Sequence, residues 1–167
     1  RVAELGQKAL TDPLIALLAD KPELTDDYLE FRDVVESQAA AMAARRATPI
    51  DLGMIRDCID HIHRAHDDAN AEDEAAADAG LHIAIYEASH NLVLLQIMRA
   101  LEGGLRSDIA RNRNRMFTTP AIREILRDQH VAIAQAILDR DPAAAEAAAH
   151  AHLSFVRQSE RDLRERE

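Results

Sequence analysis

Asp78 and His82 stand four residues apart in the run Asp78-Ala79-Gly80-Leu81-His82-Ile83-Ala84-Ile85-Tyr86. On a helix this spacing sets a carboxylate and an imidazole one turn apart on the same face, where both reach one cation or share one proton. Helical phase adds two more histidines. His130 falls on the apolar line of Ile122, Leu126, Ile133 and Ile137, and His152 shares a face with Ala145, Ala148, Ala149, Leu153 and Val156. His150 falls instead with Glu146, Ser154 and Arg157 and is expected to point outward, and His61, His63, His66 and His90 are expected at the surface. Three helices therefore aim Asp78, His82, His130 and His152 at one interior. A buried ionised carboxylate needs a partner. One reading is a packed histidine core; the other is a divalent transition metal, zinc or nickel, which suits three imidazoles and one carboxylate and leaves one or two positions for water or a ligand oxygen.

Arg32 and Glu36 are a further pair at one-turn spacing. The ordinary expectation is a surface salt bridge worth little, although an arginine beside an apolar stripe also suits a pocket. Glu87-x-x-His90 suggests a di-iron site, but that chemistry needs a second such motif and two more glutamates, and the chain has no second Glu-x-x-His. No nucleophile elbow, phosphate loop or dinucleotide fingerprint is present. A metal-dependent hydrolase or oxygenase would need a general base near the open coordination position, and none can be placed.

The elements that must position these groups are helices. Asp12-Pro13, Thr48-Pro49, Thr119-Pro120 and Asp141-Pro142 each set a capping residue before a proline at the first helical position. No stretch alternates with β-branched enrichment, so no strand is expected. The predicted helices run over about 12–20, 26–47, 48–66, 71–89, from Asn91 onward with Gly103-Gly104 in the helix middle, 120–139 and from 142 nearly to the end. Short connections make neighbours antiparallel, giving an all-α bundle of six to seven helices around a central pocket. Leu29, Val35, Ala39, Met42 and Ala43 should face the core from the first long helix, with Arg32 beside them. Ile50, Met54, Ile55, Ile59 and Ile62 should do so from the next, and Leu92, Leu94, Leu95, Met98 and Leu101 from the helix after Asn91. Gly80 is read as a small residue that lets a neighbouring helix approach.

The chain has 167 residues, 30 acidic against 20 basic, and a formal charge of −10. Such a balance repels a phosphate backbone and argues against nucleic-acid binding by these residues alone. Arg106, Arg111, Arg113 and Arg115 form a basic cluster, read as the solvated end of a helix. One cysteine, Cys58, excludes an internal disulfide framework. With no apolar run of membrane-spanning length, a soluble, cytoplasmic protein is expected. The chain opens on Arg1 rather than methionine, so residues 1–11 are read as a linker remnant and 12–167 as the folded domain.

Several segments resemble the effector-sensing domain, called FCD, of the FadR-type branch of the GntR family of bacterial transcription regulators. They are Tyr28-Leu-Glu-Phe-Arg32-Asp-Val-Val-Glu36 with Ala43-Ala-Arg-Arg-Ala-Thr48; Asp78-x-x-x-His82-x-x-Ile85-x-x-Ala88-Ser89-His90-Asn91; Val93-Leu-Leu-Gln-Ile-Met98-Arg99; Gln129-His130-x-x-Ile133-x-x-Ala136-Ile137; and Ala151-His152-Leu153-Ser154-Phe155-Val156. The resemblance implies an antiparallel helical bundle whose central pocket holds a divalent metal and a small carboxylate effector. It assigns the metal to Asp78, His82, His130 and His152, the four that helical phase selects, and the effector carboxylate to Arg32. Lactate- and pyruvate-responsive members are the most similar, so the implied effector is a 2-hydroxy or 2-oxo acid. Leu81 departs from the phenylalanine usual before the second ligand. The resemblance also implies a homodimer, and DNA binding through a winged helix-turn-helix domain that is not in this chain.

Overall fold

A computed structural model describes residues 24–104 and 116–165, with Ala16 besides. Among the described residues there are six helices and no strand: α1 (Leu24–Arg46), α2 (Pro49–Asp67), α3 (Ala71–Ala88), α4 (Leu92–Gly104), α5 (Pro120–Leu138) and α6 (Pro142–Glu165). The short helix expected over 12–20, the linker over 1–11 and the arginine cluster from Arg106 to Arg115 lie outside the described residues.

Capping chemistry decides where the helices start and stop. Thr48 and Asp51 form a full capping box at the start of α2, each side chain bonded to the other's backbone N–H, with Pro49 at the first helical position. Asn70 accepts from the backbone of Glu72 and Asp73, Asn91 from Leu94, and Asp141 from Ala144. Thr119 takes the N-cap position of α5, but its side chain makes no capping bond. At the far ends, α2, α3 and α5 each close on a left-handed residue that is not glycine: Ala69 (φ 52°), His90 (φ 50°) and Arg140 (φ 59°). Ala69 donates to His66 O and Asn70 to Ala65 O, while Arg140 donates to Ile137 O and Asp141 to Ala136 O. This is the Schellman pattern that satisfies the last carbonyls. The next residue is at once the N-cap of the following helix, so the chain reverses within about three residues and successive helices pack antiparallel.

The helices close around one core. α1 packs most extensively on α6 and also meets α3 and α5, α2 packs on α3 and α5, α5 on α6, and α4 covers α3. Alanine makes the close approach possible: Ala39, Ala40, Ala41, Ala43 and Ala44 of α1 are all buried, as are Ala145 and Ala149 of α6. Ile55, Leu81, Met98, Ile133, Ile137 and Leu153 fill the space between them. Polar ties hold α1 to α6 along their length: Arg157 and Arg161 both grip Asp26, Gln38 bonds to Glu146, and His150 meets Asp33. His150 thus points outward as expected.

Two parts of the expected core are corrected. Ile50 is 79% exposed and Met54 51%, and Leu92 at the start of α4 is 74% exposed. Ile50 and Met54 are one turn apart on a face of α2 that no described helix covers, although Ile55, next to Met54, is fully buried on the other face; Ile62, Leu95, Met98 and Leu101 of α2 and α4 are buried too. The reading of Gly80 is also corrected. It is exposed, and a Cβ placed on it meets nothing within 4 Å. No described helix approaches there, so among the described residues the glycine costs helix stability without a packing gain. Gly80→Ala should raise stability by roughly 0.5–1 kcal/mol, and Thr48→Ala should lower it by about 1 kcal/mol, both read from urea unfolding midpoints.

Candidate metal and effector site

Four elements send polar side chains into the centre of the bundle. α3 supplies Asp78 and His82, α5 supplies His130, α6 supplies His152, and α1 supplies Arg32 and Glu36; all six residues are buried. The lone pairs and carboxylate oxygens of Asp78, His82, His130 and His152 include one atom from each that all lie within 4.8 Å of one another. Asp78 is the hub. Its Oδ1 is 2.7 Å from His130 Nε2 and 3.2 Å from His82 Nε2. The ring of His152 centres 4.3 Å from that of His130 and 5.5 Å from that of His82.

The other nitrogen of two rings is held from behind. His82 Nδ1 is 2.7 Å from Glu36 Oε2, and His152 Nδ1 is 3.0 Å from Gln129 Oε1. Ligand histidines commonly donate their second N–H to a carboxylate or carbonyl in this way, which fixes the tautomer and turns Nε2 toward the ion. His82 Nε2 is buried and makes no hydrogen bond. A buried ring nitrogen without a hydrogen bond, three imidazoles and one carboxylate are what a borderline divalent cation requires, so the four residues could hold a metal.

The charges follow from the same geometry. Burial pushes the His82 imidazolium down, but Glu36 and Asp78 outweigh it and raise its pKa to about 9. Burial, with His130 and His82 adding to it, pushes His152 well below the usual histidine value. Burial opposes ionisation of Glu36 too, yet Arg32 and His82 hold it well below the carboxylate range, and Arg32 is raised above an already high value by Glu36.

Beside the cluster lies a cavity of about 50 Å³. Arg32, Asp78, His82, His152 and Glu160 form its polar wall, and Phe117, Leu126 and Val156 much of its apolar one. At roughly 10–15 Å³ per water position, it has room for a few waters or a molecule of a few heavy atoms. The ion clamp of Asp26 with Arg157 and Arg161 closes the α1–α6 seam beside it, since Thr25, Val156 and Glu160 also line the cavity.

All four residues selected by phase thus come together, and Arg32 shares their cavity. Glu36 is the residue the sequence reading missed. Its pairing with Arg32, at 2.5 Å, was expected at the surface but is buried, because α1 meets three other helices and keeps little solvated face. Glu160 was missed as well. It belongs to a charged helix end, but the spacing His152, Val156, Glu160 places it on the same stripe. His66 is corrected from exposed to half-buried, its Nδ1 3.6 Å from Glu74 Oε2. Glu74 in turn takes Arg123 at 2.6 Å, pinning α3 to α5.

Residues 27–155 match the FCD domain. The chain belongs to the FCD domain family. Its membership confirms the family identified from the motifs, and the match covers five of the six helices in full or nearly so. An Escherichia coli K12 protein named for regulation of the L-lactate dehydrogenase operon is 39% identical over 151 residues, 90% of this chain. The Glc operon transcriptional activator of the same strain is 30% identical over 167 residues, 98% of this chain. The FCD chain spans 57% and 65% of the lengths of these two relatives. A solved Streptococcus agalactiae GntR structure superposes with a TM-score of 0.70 at 22% identity, over 86% of this chain and 63% of that one, which shows the shared helical fold. No described helix is long and apolar enough to cross a membrane.

The charge arrangement sets a pH dependence for the metal-free FCD domain. A histidine whose folded pKa is raised to about 9 from 6.5 contributes stability that is complete below 6.5 and lost as pH rises through 9. His152, depressed in the fold, contributes no further change above about 6.5. The melting temperature of chelator-treated protein should therefore fall between pH 6.5 and 9, and His82→Asn should flatten that decline.

Proposed function

We propose that this FCD domain is the effector-sensing part of a metal-dependent transcription regulator. Its effector is a small 2-hydroxy or 2-oxo carboxylate of the lactate or pyruvate kind. One observation carries the reading: three imidazoles and a carboxylate converge at the centre of the bundle, and a buried arginine shares the wall of a small cavity with three of these residues, Asp78, His82 and His152. Zinc or nickel held by Asp78, His82, His130 and His152 would supply a Lewis-acid anchor for the oxygens of such an acid. Arg32 provides the complementary charge. Glu36 occupies its Nε–H, and the Nη groups are left to take the effector carboxylate as a charge-assisted, bidentate pair. The cavity volume suits a three-carbon acid, and the names of the lactate and Glc operon relatives agree with that ligand class.

Sensing then works as a population shift. The effector ties α1, through Arg32, to α3, α5 and α6, through the metal ligands, and so favours one packing of these helices over another. A ligand of equal affinity for both packings would switch nothing. The readout belongs to a winged helix-turn-helix domain joined through residues 1–11, in a cytoplasmic homodimer that binds DNA only through those domains. The relatives are regulators rather than enzymes by name, so the open coordination position is read as a place for a ligand and not for turnover.

Metal analysis and calorimetry test this directly. Protein supplied with zinc or nickel should retain one ion per chain, and L-lactate or pyruvate should bind it and raise its melting temperature. His130→Ala should lose the ion and, with it, the effector. Arg32→Lys should keep the ion but bind L-lactate about 10- to 100-fold more weakly, as expected for loss of a bidentate charged contact worth 1.5–3 kcal/mol. Wild-type affinity for L-lactate in metal-free His130→Ala would refute the metal-mediated reading.

A further inference from the structure

Resting on that reading, we infer that Glu36 is a positioning residue: it holds His82 in the metal-binding tautomer and links this ligand to Arg32, so that binding at the arginine is felt at the ion. Glu36 divides its two oxygens between two residues. Oε1 is 2.5 Å from Arg32 Nε and Oε2 is 2.7 Å from His82 Nδ1. Both partners line the cavity, whereas Glu36 is not among the lining residues and stands behind them. An ionised carboxylate only accepts hydrogen bonds. A neutral His82 ring therefore places its one proton on Nδ1, 2.7 Å from Glu36 Oε2, and turns the Nε2 lone pair to the side of Asp78 Oδ1, 3.2 Å away, where a shared cation would lie.

The two contacts compete for one negative charge. Arg32 draws it away from His82. When an effector carboxylate engages the guanidinium, less of the arginine's charge is directed at Glu36, more of the Glu36 charge acts on His82, and a more basic imidazole binds the cation more tightly. Reciprocity requires the cation to strengthen effector binding by the same factor. This coupling runs through α1 and α3, apart from any direct bond between effector and metal.

Neutralising Glu36 in place separates this role from simple packing. In Glu36→Gln the amide cannot accept at both ends. An NH2 turned toward His82 makes Nδ1 an acceptor and moves the ring proton to Nε2, where it blocks the ion; an NH2 turned toward Arg32 meets another donor. Zinc affinity, measured by chelator competition on the full chain without effector, should fall roughly 10- to 100-fold although all four ligands remain. Glu36→Asp, which keeps the charge, should lose less. Arg32→Met should bind zinc more tightly than wild type, since all of the Glu36 charge then acts on His82, and Arg32→Met/Glu36→Gln should return to the level of Glu36→Gln. A purely structural ion pair predicts that both single variants weaken zinc. Comparison is made among variants with wild-type helical circular dichroism. If Glu36→Gln binds zinc within twofold of wild type while His130→Ala does not bind, the relay is overturned and the metal site stands; if wild type binds neither zinc nor nickel, both fail.

Discussion

Taking a carboxylate out of water costs several kcal/mol unless a counter-charge or donors replace the lost hydration, and of the four acidic residues buried among the described residues two, Glu36 and Asp78, stand on opposite sides of one imidazole. Arg32 cancels one of these charges. The remaining negative charge requires either a proton on His82 or a cation among the histidines. The first accounts for the raised pKa of His82 in the metal-free domain. The second turns an electrostatic cost into a binding site. The depressed basicity of His152 suits the same end, because a residue that is to hold a metal must be unprotonated.

The helices can bring these groups together because alanine lets them. Small side chains along α1 and α6 allow backbones to approach, so a one-turn pair on α1 reaches the ligands of α3 across the core. Close packing also makes the elements rigid, and a side chain that must be placed to within a fraction of an ångström is better held on a helix than on a loop. The ionic ties then lie at the edges. Asp26 with Arg157 and Arg161 fastens α1 to α6 beside the cavity, and Glu74 with Arg123 fastens α5 to α3 on another side. The partly exposed Asp26 pairs contribute little stability individually, whereas Glu74 is buried and needs its arginine; both ties fix which helix faces which.

The chain belongs to the FCD domain family and is similar to proteins named as transcription regulators. The architecture suits that role because the polar groups come from four helices rather than one. On the proposed reading, a ligand bridging Arg32 and the histidines would touch α1, α3, α5 and α6 at once, and any difference in their packing would alter its affinity. The same property explains why the pocket can be small: coupling depends on which elements a ligand joins, not on how much surface it covers.

The local physics of the chain was open to reading without a structure. Proline after a capping residue marked the starts of α2, α5 and α6, and the phase of apolar residues turned Asp78, His82, His130 and His152 inward, since helical period alone decides which side chains share a face. Phase failed where it could not know the neighbours. Ile50, Met54 and Leu92 repeat at the right spacing but lie on helix faces that no described helix covers. Gly80 has the right size for a close contact, and no described helix is there to make it. Glu36 and Arg32 have the spacing of a surface pair, yet three neighbouring helices bury them. Short-range order depends on residues within one turn, which the sequence contains; whether a face meets water or another helix depends on residues tens of positions away. Only the tertiary fold could show that the carboxylate behind Arg32 also stands behind His82.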